Sequence, residues 1–416
     1  MQKKITGLVA LLGFLPAGHL LAQEAIQQVL SSRAISGTSA FENQPYTFKA
    51  QDLRVHITPS MGAEYNDNIN ISNRGRGQDY ILKPMVDVMG IYPWTDRNVV
   101  TFNVGVGYEQ YIDHDDYSGL LLTSGSGIGF DFGVGDFQFN LHDRFSYSQD
   151  AAGQSAIAGN GKYGTAQNLV GILGSWDLGD VIPSIGYDHL NLMSTSKTSD
   201  QYKGQDHSSD MFVERVAVKV YPEVVTGLET SESMTSYDKQ RLNDSTTYTV
   251  GTYAIWKKEA FSLEPRVGYS YFQFDKTSSY IQSSSSGSWY GDLTGEYIVS
   301  KAITAGISAG HEVNLGVESD AIEIWYVRPH ARWGFTERGN VNLGFSYENG
   351  KQGFGDQNGG IKERYNHYGP NLGVDYRLTK KLVGNLYYQL TMRDSDSNDR
   401  NYSQNLVGVR FSYPLD

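Results

Sequence analysis

From Leu53 onward, apolar and polar positions alternate with a period of two in stretches of about 12 to 16 residues. Side chains of a strand point alternately to opposite faces, so each stretch reads as a strand with one apolar and one polar side. In the third stretch Val100, Phe102, Val104, Val106 and Tyr108 share one parity, and Thr101, Asn103, Gly105, Gly107 and Glu109 the other. In the fifth, Phe137, Phe139, Leu141, Phe145 and Tyr147 oppose Gln138, Asn140, His142, Arg144, Ser146 and Ser148. In the fourteenth, Trp325, Val327, Ala331, Trp333 and Phe335 oppose Tyr326, Arg328, His330 and Arg332. Eighteen such stretches follow one another: 53–71, 78–92, 99–112, 119–134, 137–149, 166–178, 181–193, 209–221, 224–237, 246–257, 261–275, 286–299, 302–313, 321–335, 340–348, 363–378, 382–393 and 401–413. An even number puts both ends of the chain on one side.

The connections alternate in kind. Short ones such as Gly135-Asp136, Gly179-Asp180, Pro222-Glu223 and Ser300-Lys301 follow the even-numbered strands, and long ones rich in Asp, Ser, Gly and Asn follow the odd-numbered strands, as over 150–165, 194–208, 276–285 and 349–362. Short turns on one side and long loops on the other are the asymmetry of an outer-membrane barrel. Aromatic residues fall near strand ends, among them Tyr92, Trp94, Tyr147, Trp176, Tyr221, Trp256, Trp289, Trp333 and Tyr413, where amphipathic rings sit at headgroup level. The fold expected is an all-β, transmembrane antiparallel β-barrel of about 18 strands (16–18), with short periplasmic turns and longer extracellular loops. A propeller would show a shared motif every 40 to 50 residues, and none recurs.

Composition narrows the class further. The chain of 416 residues has 46 Gly, 29 Tyr and 17 Phe, and a mean hydropathy of -0.42, which excludes a polytopic helical membrane protein and a disordered chain alike. Without cysteine there is no disulfide framework, thiolate metal site or lipoprotein processing site. A formal charge of -12 argues against a nucleic-acid partner. Residues 1–22 read as a signal peptide, with Lys3 and Lys4, an apolar run from Ile5 to Leu15, and Leu20-Leu21-Ala22 before Gln23. Residues 23–50 read as a periplasmic N-terminal leader, leaving the barrel to 51–416.

The stretch Leu386-Tyr387-Tyr388-Gln389-Leu390, then Arg393-Asp394-Ser395, Asn398-Asp399-Arg400, Tyr402-Ser403 and Val407 to Tyr413, resembles the end of the outer-membrane β-barrel porin family associated with exopolysaccharide systems, the beta-barrel porin 2-like proteins. Gly62-Ala63-Glu64-Tyr65-Asn66-Asp67-Asn68 and Trp94-Thr95-Asp96-Arg97 are similar to that family as well, so the resemblance covers about residues 50 to 413. It implies a pore encoded with polysaccharide synthesis and export machinery, and no catalytic residues. The closing strand alternates through Val407, Val409, Phe411 and Tyr413 as an assembly signal should, but Pro414-Leu415-Asp416 follow. Recognition by the barrel-assembly machinery is expected to tolerate that tail.

Candidate chemistry concentrates on the polar faces. Arg328, His330 and Arg332, with Arg215 and Lys219 on the eighth strand, Arg377 on the sixteenth and Arg410 on the last, point inward by parity and make a partly basic wall. Rings of Arg and Lys favour anion passage. Glu64, Asp87, Glu109, Asp131, Glu264, Asp292, Glu296 and Asp375 also point inward, so mixed charges are expected to pair across the lumen. His142 with Ser146 or Ser148 is the most suggestive nucleophile–base set, sharing one strand face with Arg144, but positions four apart on a strand stand about 13 Å apart. Asp113-His114-Asp115-Asp116 reads as a solvated loop rather than a Ca²⁺ site, and the glycines at 125, 127 and 129 as room for bulky neighbours rather than a phosphate loop. The expected pore lining is therefore Arg144, His142, Arg215, Lys219, Arg328, His330, Arg332, Arg377, Arg410, Tyr326 and Tyr387, with neither metal nor cofactor. The reading is a conduit for hydrophilic solutes, with saccharides linked to exopolysaccharide export as the expected cargo, embedded in outer-membrane lipid. An adhesin using its loops and a barrel-borne hydrolase are the alternatives.

Overall fold

The computed structural model describes residues 46–150, 155–159, 162–195, 202–354 and 356–415. The signal peptide and the leader up to residue 45 lie outside the described residues. One continuous antiparallel sheet contains nineteen strands, of which Phe48–Ala50 is a short addition and the other eighteen close into a barrel. The barrel strands are β1 Leu53–Asn66, β2 Asp79–Pro93, β3 Val99–Tyr111, β4 Gly119–Val134, β5 Phe137–Asp150, β6 Lys162–Trp176, β7 Val181–Ser194, β8 His207–Tyr221 and β9 Val224–Tyr237. They continue as β10 Ser245–Lys258, β11 Phe261–Phe274, β12 Ser286–Ser300, β13 Ile303–Leu315, β14 Ala321–Thr336, β15 Gly339–Gln352, β16 Glu363–Arg377, β17 Val383–Ser395 and β18 Tyr402–Ser412. Each pairs with its sequence neighbours, and β18 returns to β1, so every strand has two partners and no long edge remains.

The parity expected from sequence is the parity observed. In β3, Thr101, Gly105, Gly107 and Glu109 are buried towards the inside while Val106 and Tyr108 are exposed on the outside. The outer surface carries Val86, Leu120, Ile128, Leu141, Ile185, Leu228, Val267, Leu343 and Leu386 exposed, an apolar band that only hydrocarbon would cover. Aromatic pairs rim it at the short-turn end, where Phe137 stacks on Trp176 at 5.2 Å and Trp256 meets Phe261 at 5.1 Å. Tyr65–Tyr80 and Tyr187–Phe212 mark the long-loop end.

Three departures from the sequence reading are informative. The first strand ends at Asn66, not 71, because Ile69 and Ile71 turn away and are buried, Ile69 on Ile81 and Tyr111 of the wall and Ile71 with Ile157, Ala158 and Tyr402. The fifteenth runs Gly339–Gln352 rather than 340–348, since its polar end continues to pair with β14 and β16. In β4 a bulge at Thr123–Gly125 shifts the register against both neighbours, with Gly125 at φ 89, a left-handed conformation that a residue without Cβ adopts readily.

Both described ends meet at the short-turn rim. Seven residue pairs, Ser60–Asn66 against Leu406–Ser412, close the barrel. Below them Tyr413 and Leu415 donate their N–H groups to the carbonyls of Pro59 and Ile57. The strand Phe48–Ala50, which the sequence reading placed in the leader, pairs with Leu53–Val55.

Candidate functional site

The inner wall carries its charges in clusters. On β1 to β3 and β17, Lys83 stands between Glu64 at 2.9 Å and Glu109 at 2.8 Å, and the hydroxyl of Tyr387 donates to Glu64. Arg410 lies within electrostatic reach of Glu64 and Asp87. On the far side Glu229 accepts from Arg215 at 2.8 Å and from Arg266, and Arg266 is 3.7 Å from Asp292. Arg215 lies over the ring of Tyr253 at 4.2 Å. Arg328 stacks on Tyr326 at 4.6 Å and faces Glu348 at 3.7 Å. His330 is 3.9 Å from Glu296. Alternating strand parity delivers these groups inward, and cross-strand register brings opposite charges within reach.

The inward glycines make this wall possible. A Cβ at Gly268 would collide with the ring of Tyr290, and one at Gly408 with Tyr387, so each tyrosine lies flat over a bare backbone on the neighbouring strand. The run of glycines at 125, 127 and 129, expected to make room for bulky neighbours, does otherwise: Gly125 takes a left-handed conformation facing open space, and a Cβ at Gly127 would meet the backbone of Asp143 and Arg144 on β5.

The basic wall expected from sequence resolves into separate places. Arg328, His330 and Arg332 follow one another down β14, with Arg377 two strands away at the short-turn mouth. Arg215 and Lys219 lie six strands off on β8, where the Lys219 ammonium donates to the Gly179 carbonyl at 2.9 Å. Pairing runs along the wall between strands one or two apart rather than across the lumen. His142 is buried, with Nε2 2.7 Å from Asp188 and Nδ1 2.9 Å from the Asn140 side-chain Oδ1, and Arg144 lies within electrostatic reach of Asp188. Both imidazole nitrogens are therefore engaged by groups other than Ser146 or Ser148. His114 is held by Asp79, which also accepts from the backbone N–H groups of Ile112, Asp113 and His114. Among the described residues no group of three or more His, Cys, Asp or Glu is placed to hold a metal ion.

The sequence reading missed what fills the external mouth. Ser155–Gly159 belongs to the connection between β5 and β6, yet its partners sit across the ring on β14 to β18. The Ser155 carbonyl accepts from Arg393 at 2.8 Å, and the Ala156 carbonyl accepts from Arg400 and Gln352. The Ser155 hydroxyl contacts Glu348 and Tyr365, and Gly159 N–H bonds the Ile71 carbonyl. Ile157, fully buried, packs with Ile71, Ala158, Tyr402 and Val317. Arg393 and Glu363, themselves fully buried, pair at 2.7 Å, and Arg400 bridges Glu363 and Glu318. Burial pushes the Glu318 carboxyl above its usual range against the pull of Arg400. A second junction forms where Asp320 takes donors from Asn243 and Ser283, and Ser283 reaches Asp356 at 2.9 Å. There the Asp356 carboxyl is pushed up to about 6, chiefly by burial, with Asp320 nearby adding to the rise. The sequence held one signal for this. Ile71, Ile157, Leu242 and Ile281 are isolated branched residues in otherwise polar loops, and all four are buried.

No family model matches the chain, and no curated protein matches it. Solved structures do. OccK2 (OpdF) of Pseudomonas aeruginosa, determined in complex with glucuronate, aligns with a TM-score of 0.51 at 10% identity over 90% of this chain and 100% of that one. A BenF-like porin from Pseudomonas fluorescens Pf-5 gives 0.50 at 11% identity over 88% and 99%. The fold is that of an outer-membrane porin. With an apolar outer band between aromatic girdles and every backbone ladder closed, the barrel is built for the bacterial outer membrane. Identity this low speaks to architecture and leaves the cargo open.

Proposed function

We propose that the protein is a passive channel for hydrophilic solutes, and that its cargo is saccharide tied to exopolysaccharide export. The observation that carries the channel reading is the inner wall, where charged and tyrosine side chains are arrayed along neighbouring strands of a closed barrel. A wall of this kind replaces part of a solute's hydration without binding it tightly, which passage requires. Tyr326, half-buried, carries Arg328 on its ring and lies against Gly310, as Tyr290 and Tyr387 lie against Gly268 and Gly408, so these tyrosines pave the wall that a sugar would pass. The saccharide cargo rests on the family resemblance of 50 to 413. The barrel-assembly machinery is the partner implied by the alternating last strand, and outer-membrane lipid the surrounding medium.

The loops packed into the mouth favour a second reading, a surface binding protein whose barrel is an anchor. Planar-bilayer recordings of the refolded mature chain, with and without residues 23–50, separate the two. Stable open steps support the channel, and a folded barrel that stays silent in both forms overturns it. Selectivity in the same recordings tests the lining: anion preference that falls when Arg332 and Arg377 are neutralised assigns the filter to those residues.

A further inference from the structure

The turns at the short-turn rim are divided by charge. Those following β2, β4, β6 and β8 carry Asp96, Asp136, Asp177, Asp180 and Glu223, all exposed. The basic residues there donate to turn carbonyls, Arg97 to Gly135 at 3.1 Å and Lys219 to Gly179. The turns following β10, β12, β14 and β16 carry Lys258, Lys301, Arg338 and Lys380, also exposed, with Glu259 and Glu337 as the acids between them. Arg377 stands at the inner lip of the same half, and Arg332 just above it on β14. Deeper in the lumen the cations change character, since Lys83, Arg215, Arg266 and Arg328 each face a carboxylate. From the rim inward, positive charge thus passes from solvated to neutralised.

From this division we propose that the basic half of the periplasmic mouth is a docking arc for a linear polyanion, an acidic saccharide chain, which enters the lumen past Arg377 and Arg332. This rests on the conduit reading and gives its cargo a sign and a direction. Neighbouring strands lie about 4.8 Å apart, so consecutive turns are at least about 10 Å apart and the four basic turns span about 30 Å. A small anion could touch one or two of them. An extended chain of carboxylates could touch all four. At physiological salt the screening length is about 8 Å, so fields of adjacent turns overlap into one strip. The acidic half repels the same chain and restricts its approach to the β10–β17 side, a two-sign arrangement that steers rather than merely attracts.

The probe is oligogalacturonate of about ten residues, with a maltodextrin of matched length as neutral control, added to either chamber of a bilayer holding channels inserted in one orientation. Oligogalacturonate should interrupt the current at a concentration at least about tenfold lower from the turn side than from the loop side, and 1 M salt should erase the difference. The K301Q/R338Q/K380Q variant should lose that advantage, with unitary conductance in the same records reporting whether the pore survives. Equal block from both sides, equal block by maltodextrin, or a variant blocked like the wild type would overturn the proposal. If the barrel proves silent, the conduit reading fails on its own, and fluorescence anisotropy of labelled oligogalacturonate on the detergent-folded barrel still decides the arc. Binding weakened about tenfold or more by the triple substitution supports it, and binding that is absent or unchanged removes it.

Discussion

Lys83 shows how a single inward residue organises its surroundings. Its ammonium sits between Glu64 and Glu109, both almost fully buried, and Tyr387 completes the hydrogen bonding of Glu64. Lys83→Met should therefore cost about 3–5 kcal/mol, because it leaves two carboxylates facing each other, and the loss should appear as a lower urea midpoint of the folded barrel in detergent. Lys83 was not among the residues expected to line the pore. Ile81, Met85 and Met89 share its face, so β2 lacks the clean apolar–polar split that made His142 and Arg328 legible. Asp356 gives the pH counterpart. Its carboxyl titrates near 6, above the ordinary 3.8, so the folded state holds a proton there that the unfolded chain has released. The stability tied to that proton is intact below about pH 3.8 and is lost as pH rises through 6. The loops that meet at Ser283, Asp320 and Asp356, with Lys362 within electrostatic reach, should show lower amide protection factors, corrected for the intrinsic exchange rate at each pH, at pH 7.5 than at pH 5. Asp356→Asn should flatten that dependence, and an unchanged profile would assign it to another group.

At the scale of elements, strands were legible and loops were not. Period-two alternation is enforced along every strand that has water on one side and lipid on the other, so the count and order of strands follow from it. Nothing comparable constrains a loop, and the contacts made by Ser155–Gly159 depend on residues some 200 positions away in sequence, such as Glu348, Tyr365 and Arg393. Long polar segments read as solvated, whereas their few branched residues anchor them in the mouth. That segment is held chiefly by Ile157 in an apolar cluster and by arginines on two of its carbonyls. Ile157→Asp would bury a carboxylate among Ile71, Ala158, Tyr402 and Val317, at a cost of several kcal/mol, and should expel the segment. The expected outcome is a larger unitary conductance in bilayers with the barrel still folded. An unaltered conductance would mean that the segment does not limit the current.

For the molecule as a whole, closure dominates. Eighteen strands, each paired on both sides, take the backbone polar groups of the wall into ladders, which is the condition for spanning a membrane with strands. The tail beyond Tyr413 is compatible with that closure, since Leu415 extends the pairing onto Ile57 rather than interrupting it. Removing Pro414–Asp416 should leave the yield of heat-modifiable barrel within about twofold of the full chain, because the alternating strand that the assembly machinery reads ends before the deletion. A collapse in yield would show that the tail belongs to the signal. The joint between the first and last strands has a further meaning for the growing chain. Until β18 arrives, β1 has one exposed edge, and an exposed edge recruits strands from other molecules. Phe48–Ala50, a hairpin partner only a few residues away in sequence, can occupy the lower part of that edge before any distant strand is made. The short peptide in front of the barrel therefore acts as a selvage, keeping the hem of an unfinished cylinder from being sewn to the wrong cloth.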